Sequence, residues 1–140
     1  MSYVWIMMLL ISVLLPLIMF AFGILTKFNI PKHPNSFFGY RTTFSQKNGD
    51  TWRFAQNYFG KIWRWVGGCL FVISTGVYLG FISITKNNDE ISSLIGMILM
   101  MVNLGVLIGT IYPTEAALKR NFDSSGNRKI IDLNKEEFKV

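Results

Sequence analysis

Three long stretches of the sequence carry no charged side chain: residues 2–26, 65–85 and 91–114. An uncharged, mostly apolar run of about 20 residues is long enough to cross the hydrocarbon core of a bilayer as a helix. Lipid offers no hydrogen-bond partners, so a spanning segment must satisfy its own backbone groups, as a helix does. The sequence therefore predicts an all-α membrane protein with three transmembrane helices, at about 3–26, 65–85 and 91–114.

The basic residues lie almost entirely outside these stretches. Thirteen of the 14 lysines and arginines fall within residues 27–64 and 115–140. Short basic segments of membrane proteins stay on the cytoplasmic side. We therefore expect an N-terminus outside, a C-terminus inside, a cytoplasmic loop 27–64 and a cytoplasmic tail 115–140. The spans and their connections then form one integral membrane domain of residues 1–140, with the lipid bilayer as a partner.

The net charge of +6 and the isoelectric point near 9.6 also bear on other partners. Lysine and arginine beside anionic lipid headgroups account for this charge without a nucleic acid. No pattern of a nucleic-acid recognition module is present. We expect no nucleic-acid partner.

The second half of the first loop has the pattern of an amphipathic helix. Asn48-Gly49-Asp50 favours a turn, and Asp50 or Thr51 can cap a helix that begins at Trp52. We expect an interfacial amphipathic helix at about 51–63 on the cytoplasmic leaflet, with a bend near Gly60 or Gly67-Gly68 before the second span. Its apolar face comprises Trp52, Ala55, Phe59, Ile62 and Val66.

The second and third spans are joined by a linker short enough to form a tight hairpin, with Asn88 or Asp89 as the cap of the third span. Small residues four apart allow helices to approach closely. In a hairpin centred near Asn88, Gly80 lies level with Gly96, and Asn103 lies near Ser74 or Thr75 and can bond to either. The residues expected to pack the helices are Gly67, Gly76, Gly80, Gly96, Asn103, Gly105 and Gly109.

The composition argues against several kinds of chemistry. No Lys, Arg, Asp or Glu lies within a span, whereas proton relays and ion-coupled transport depend on such groups. One cysteine, Cys69, and one histidine, His33, exclude a disulfide framework within the chain and the usual His/Cys metal sites. The segment Asp123–Asn127 lacks the alternating acids of a calcium loop and is expected to form a turn. We expect no cofactor, no metal and no catalysis.

The first loop contains the most specific motif, Gly39-Tyr40-Arg41-Thr42, which follows Pro34-Asn35. Thr51-Trp52 and Ala55 come next, and Gly67-Gly68 opens the second span. These residues, with the tail segment 118–129, resemble the SdpI-type immunity proteins, which protect bacteria from a secreted, membrane-active sporulation-delaying toxin. Thr43 departs from the pattern, since many members have proline there. The resemblance implies a non-catalytic, multi-pass protein of the bacterial plasma membrane and a toxin peptide as a possible partner.

Elementary chemistry suggests roles for the motif. Gly39 permits a backbone conformation closed to other residues or a close approach to a helix. Arg41 can hold a phosphate or a carboxylate with two hydrogen bonds, and Tyr40 and Trp52 are natural interfacial rings. In one hypothesis the segment is a structural cap tied down by Arg41 and Glu115; in the other it binds a ligand, a partner protein or a lipid headgroup. The candidate residues are Asn35, Gly39, Tyr40, Arg41, Thr42, Trp52 and Glu115.

Three functions stay open at this point. The first is immunity, in which the protein binds a toxin peptide or shields the toxin's target. The second is signalling, in which the basic cytoplasmic face recruits a cytosolic regulator. The third is a membrane enzyme acting on lipid or peptide, for which Arg41, Glu115, Asp50 and His33 are the available groups. The oligomeric state is open as well, since the first span could pair with another copy.

Overall fold

The computed structural model describes residues 3–28, 34, 39–85 and 88–129. Within them the chain forms four helices, listed in order as α1 (Val4–Phe28), α2 (Gly49–Thr85), α3 (Asp89–Gly109) and α4 (Ile111–Asn121). The only β feature of the described residues is an isolated bridge between Phe122 and Arg128. Three helical segments are long and apolar enough to cross a membrane, which confirms the predicted number of spans.

Helix α2 begins earlier and runs further than the predicted interfacial helix. Its 37 residues rise about 55 Å, well beyond the roughly 30 Å of hydrocarbon that a span must cross. The N-cap is Asn48, whose Oδ1 accepts hydrogen bonds from the backbone N–H groups of Asp50 and Thr51 at 3.0 and 2.9 Å. The predicted caps, Asp50 and Thr51, are wrong: both lie inside the first turn. The segments 51–63 and 65–85 thus belong to one helix.

Helices α1 and α2 approach so closely that glycine is required at their contacts. A Cβ added at Gly23 would overlap the backbone of Arg64, and one added at Gly67 would lie 2.6 Å from the backbone nitrogen of Phe20. At the far end of the contact, Gly60 lies against Thr26. As residue numbers increase along α1, the numbers of the α2 residues that they contact decrease, so the two helices are antiparallel.

Helix α3 also packs on α1. Gly96 of α3 faces Met8, whose Cβ would lie 2.9 Å from an added Cβ. Asn103 is buried at the junction of the three long helices: its Nδ2 donates to the carbonyl oxygen of Ser12 at 2.8 Å and lies 3.2 Å from Ser74 Oγ. The expected bond to Ser74 is therefore present, and the bond to α1 is an addition. Such bonds are worth about 0.6 kcal/mol and orient the helices.

The predicted packing of the second span on the third is wrong in detail. Gly67 faces Met19 and Phe20 of α1, and Gly96 faces Met8 of α1. The spacing of small residues shows where a helix can be approached closely, but it does not show which neighbour approaches. In this structure Gly67 and Gly96 both pack against α1, whereas they were expected to pack the second and third spans against each other. No described atom lies within 4 Å of a Cβ added at the four remaining glycines, Gly76, Gly80, Gly105 and Gly109.

The third helical segment is divided at Thr110. Helix α3 ends at Gly109 and α4 begins at Ile111, so the predicted span 91–114 extends across both helices. The N-cap of α3 is Asn88, one of the two predicted caps, whose Oδ1 accepts from the backbone N–H groups of Glu90 and Ile91. Helix α4 continues beyond this division and packs on the first half of α2.

Candidate functional site

Tyr40 is fixed to helix α2 through its backbone. The side-chain amide of Gln56 accepts a hydrogen bond from Tyr40 N–H and donates one to Tyr40 C=O, both at 2.8 Å. Gln56 is buried, so these bonds satisfy polar groups that would otherwise be costly. The amide thus pairs with both backbone groups of Tyr40, as a neighbouring β-strand would, and places residues 39–42 beside the helix.

Gly39 has both properties that its position suggested. Its φ of +112° lies in the region that side-chain-bearing residues rarely adopt. A Cβ at this position would also overlap Oε1 of Gln56, the atom that binds Tyr40 N–H. Only glycine therefore permits the amide of Gln56 to reach the backbone of Tyr40.

The side chain of Tyr40 connects the loop to helix α4. Its hydroxyl donates to Oε1 of Glu115 at 2.8 Å. Burial raises the pKa of Tyr40 far above its usual value, and the hydrogen bond and negative charge of Glu115 raise that pKa further. Glu115 was predicted to hold the loop to the bundle together with Arg41; the structure shows a hydrogen bond to Glu115 from Tyr40.

The turn after the motif is held by hydroxyl groups. Ser45 Oγ accepts from the N–H of Thr42 at 2.9 Å, and Thr42 Oγ1 accepts from the N–H of Ser45 at 3.2 Å. Thr51 Oγ1 then donates to the carbonyl oxygen of Ser45 at 3.2 Å. Ser45 and Thr51 are both buried, so residues 42–51 form an ordered connection into α2.

Tyr40 and Trp52 belong to the protein interior, and their predicted role as interfacial rings is wrong. Tyr40 is 5% exposed and Trp52 is 0% exposed. The apolar face of the first half of α2 meets Leu118 of α4 and Phe122 behind it, so these groups cover the face that was expected to meet lipid. Periodicity identified the buried face, but the covering element lies more than 50 residues away in the sequence.

An aromatic cluster continues from this core toward the membrane-spanning helices. Phe59 lies between Tyr40 and Trp63, with ring centroids 4.6 and 4.5 Å away, and Phe22 of α1 meets Trp63 at 5.0 Å. Trp63 Nε1 donates to Thr110 Oγ1 at 2.9 Å, at the junction of α3 and α4. The cluster therefore joins α1, α2 and the α3–α4 junction beneath the loop.

Residues 124 and 126 of the tail contact the end of the loop, at Lys47 and Asn48. Asn48 caps α2 with its oxygen and donates through Nδ2 to the carbonyl oxygen of Gly126 at 2.7 Å, while Lys47 Nζ contacts the carbonyl oxygen of Ser124. Asp123 Oδ1 accepts from the N–H groups of Asn127 and Ser125, and these bonds lower the pKa of Asp123. The predicted turn at Asp123–Asn127 is present and serves as a docking element.

A cavity of about 270 Å³ lies under the motif, between the loop and the helices. Arg41 lies exposed at its rim beside Thr42. Sequence reasoning did not identify the apolar walls, nor Gln56, because each depends on helices that meet only in the fold. Asn35 lies outside the described residues. The lining is made by Phe22, Gly39, Tyr40, Arg41, Thr42, Phe59, Trp63, Leu107 and Ile111.

The arrangement is suited to binding. Arg41 offers a cationic fork that matches a carboxylate or a phosphate, and the aromatic and aliphatic walls offer space for an apolar side chain. Among the described residues, no group of three or more His, Cys, Asp and Glu side chains could hold a metal ion.

The loop from residue 39, the first half of α2, α4 and the turn at Asp123–Asn127 form a polar cap on one end of the apolar helices. This cap and the three long apolar helices define a multi-pass membrane protein. The chain belongs to the SdpI/YfhL protein family, whose family model matches residues 32–113. The matched region contains the motif, all of α2 and all of α3, whereas α1 lies before it. No curated protein and no solved structure matches the chain.

Proposed function

We propose that this protein is a non-catalytic immunity protein of the bacterial plasma membrane, with its N-terminus outside and its polar cap in the cytoplasm. It confers resistance to a secreted, membrane-active toxin peptide by binding the peptide or shielding the peptide's target. The observation that carries this proposal is the match to the SdpI/YfhL family across the segment that contains the motif and every lining residue of its cavity except Phe22.

The position of the cavity suits a ligand that arrives through the bilayer. Phe22, Leu107 and Ile111 belong to the uncharged stretches, so one wall of the cavity is continuous with the apolar layer. Arg41 lies at the polar end of the same cavity. A membrane-active peptide can place an apolar side chain between the helices and a carboxylate at Arg41 without leaving the membrane surface.

The cap and binding hypotheses then describe different residues of one site. Tyr40 bonds to Gln56 and to Glu115, and these bonds hold the loop. Arg41 and Thr42 lie toward the rim, where they can contact a ligand. Loss of the first group should release the loop from the helices, whereas loss of Arg41 should remove the cation that lines the cavity.

The proposal is tested by survival of cells challenged with the sporulation-delaying toxin. Cells expressing the wild type at a matched membrane level are compared with cells expressing Arg41→Ala. Arg53→Ala is the control, because Arg53 is also exposed and lies outside the cavity. Protection by wild type and Arg53→Ala, but not by Arg41→Ala, supports the proposal. Absence of protection by wild type excludes immunity to this toxin, and protection by Arg41→Ala removes Arg41 from the site.

A second candidate function is recruitment of a cytosolic regulator. Residues 27–64 and 110–129 contain ten cations against three carboxylates where the structure describes them. Lys61, Lys119 and Arg120 are exposed on α2 and α4, and such a face attracts an acidic partner. Charge reversal at Lys119 and Arg120 would abolish recruitment while leaving toxin protection intact, if the two functions are separate.

The third hypothesis, a membrane enzyme, is tested at Glu115, one of the four groups available to it. Its carboxylate accepts the Tyr40 hydroxyl, an arrangement that ties the loop to α4. Turnover of a lipid or peptide that was lost in Glu115→Gln, with the fold intact, would favour this hypothesis over immunity.

A further inference from the structure

A second groove lies on the outer surface of helices α1 and α2, away from the motif. It encloses about 560 Å³ and is lined by residues of one face of α2 together with Phe20 of α1. Arg64 lies at one end, and every other lining residue is uncharged. The lining residues are Phe20, Arg64, Trp65, Gly68, Cys69, Val72 and Ile73.

The sequence places the groove at the depth of the bilayer's hydrocarbon core, and Arg64 at the boundary between that core and the headgroups. Arg64 is the last charged residue before the uncharged stretch 65–85. That stretch rises about 31 Å as a helix, which equals the thickness of the hydrocarbon core. The guanidinium of Arg64 can therefore reach the level of the lipid phosphates, while the groove continues from it about 13 Å into the hydrocarbon toward Ile73.

Arg64 is available for an external anion. Within residues 3–28, 39–85 and 88–129, the structure shows no hydrogen-bond or ion-pair partner for its guanidinium. Its backbone packs against Gly23 of α1, so the start of the side chain is fixed at the helix contact. A guanidinium with no partner among the described residues, at the end of an apolar groove, has the chemistry of a phosphate site with an acyl-chain channel.

We propose that this groove binds one phospholipid, with the headgroup phosphate on Arg64 and an acyl chain along Phe20, Cys69 and Val72. The site is distinct from the cavity under residues 39–42 and does not depend on the immunity function. It would fix the height of α2 in the leaflet that faces the polar cap.

A second copy of the chain fits the groove less well than a lipid. No carboxylate occurs in the uncharged stretches, so a neighbouring span offers no partner to Arg64. Among the described carboxylates at this end, Glu115 accepts the Tyr40 hydroxyl and Asp123 is enclosed in its own turn. Asp50 lies 14 positions before Arg64 on the same helix, about 21 Å away.

Native mass spectrometry of the full chain, released from detergent, tests the proposal with two probes. Dioleoyl phosphatidylglycerol carries the phosphate, and dioleoylglycerol has the same chains without it. We expect one phosphatidylglycerol per wild-type chain, at least tenfold weaker binding of it by Arg64→Gln, and partial retention by Arg64→Lys. Lys61→Gln is the matched control, because Lys61 is exposed one turn away and does not line the groove; it should bind as the wild type does.

A groove-filling variant checks the chain-binding part separately. Cys69→Trp should weaken both probes, and glycerol 3-phosphate should not displace the bound lipid. Equal binding of phosphatidylglycerol by Arg64→Gln and wild type would overturn the proposal, as would equal losses in Arg64→Gln and Lys61→Gln. A dimer that excludes lipid from the groove would assign it to a second copy instead.

Discussion

At the scale of single residues, the site depends on how Tyr40 is held. Its backbone bonds to the amide of Gln56 and its hydroxyl to Glu115, so one residue joins the loop to α2 and α4. The sequence predicted special roles for Gly39 and Glu115 from conformational freedom and charge. It did not predict Gln56, because an amide among polar neighbours on a helix carries no sign that it will be buried.

The requirement for glycine at position 39 can be measured against a second glycine. Gly39→Ala should lower the free energy of unfolding by about 1–3 kcal/mol, because a positive φ and an overlap with Gln56 both oppose a Cβ. Gly49→Ala, with nothing within 4 Å of the added Cβ, should be neutral or slightly stabilising. Denaturation of both variants in the same detergent compares them. Equal stability of the two variants would contradict the structure of the loop.

Burial of Tyr40 and its bond to Glu115 predict that stability depends on pH in the alkaline range. Burial and Glu115 raise the pKa of Tyr40 above its unfolded value of about 10. Its contribution to stability is therefore complete below pH 10 and is lost as the pH rises toward the higher folded value. Tyr40→Phe should be less stable than wild type by about 1–2 kcal/mol at pH 7. The difference between the two proteins should shrink above pH 10 in thermal unfolding followed from pH 7 to 11. A difference that stays constant, or grows, would contradict the buried position of the Tyr40 hydroxyl beside Glu115.

At the scale of helices, α1 organises the bundle. It contacts α2 through Gly23 and α3 through Met8, and it accepts the amide of Asn103 at Ser12. The uncharged stretches predicted the spans because length and charge are local properties. The partner of each helix face was not predictable in the same way, because several glycines offer equivalent surfaces and the fold uses only some of them.

Substitution by alanine should therefore change the stability of the protein differently at two glycines of the bundle. Gly23→Ala places a Cβ against the backbone of Arg64, which cannot move aside, and should lower the free energy of unfolding by about 1–3 kcal/mol. Gly76→Ala meets nothing within 4 Å and should leave stability unchanged or raise it through the better helix propensity of alanine. Reversible unfolding in mixed detergent micelles gives both values. Destabilisation by Gly76→Ala alone would indicate that α2 packs through its other face.

At the scale of the whole molecule, a polar cap is built on one end of an apolar bundle. The loop, the first half of α2, α4 and the tail turn form this cap through bonds between residues far apart in sequence, such as Asn48 with Gly126. The sequence predicted the division into apolar and polar parts from charge alone. It did not predict that α4 covers the amphipathic face of α2, because that face has the same pattern whether it meets lipid or protein.

The central claim is the binding form of the proposal, in which a toxin peptide occupies the cavity under residues 39–42. The most direct test is photo-cross-linking in membranes, with a benzophenone side chain placed at Ile111 or at Ile108. Ile111 lines the cavity and Ile108 does not, although their exposures, 42% and 57%, are similar. We predict a strong cross-link to the sporulation-delaying toxin from position 111 and only the background of a membrane-dissolved peptide from position 108. Equal cross-linking from both positions, or none from 111 in cells that are protected, would contradict binding in the cavity.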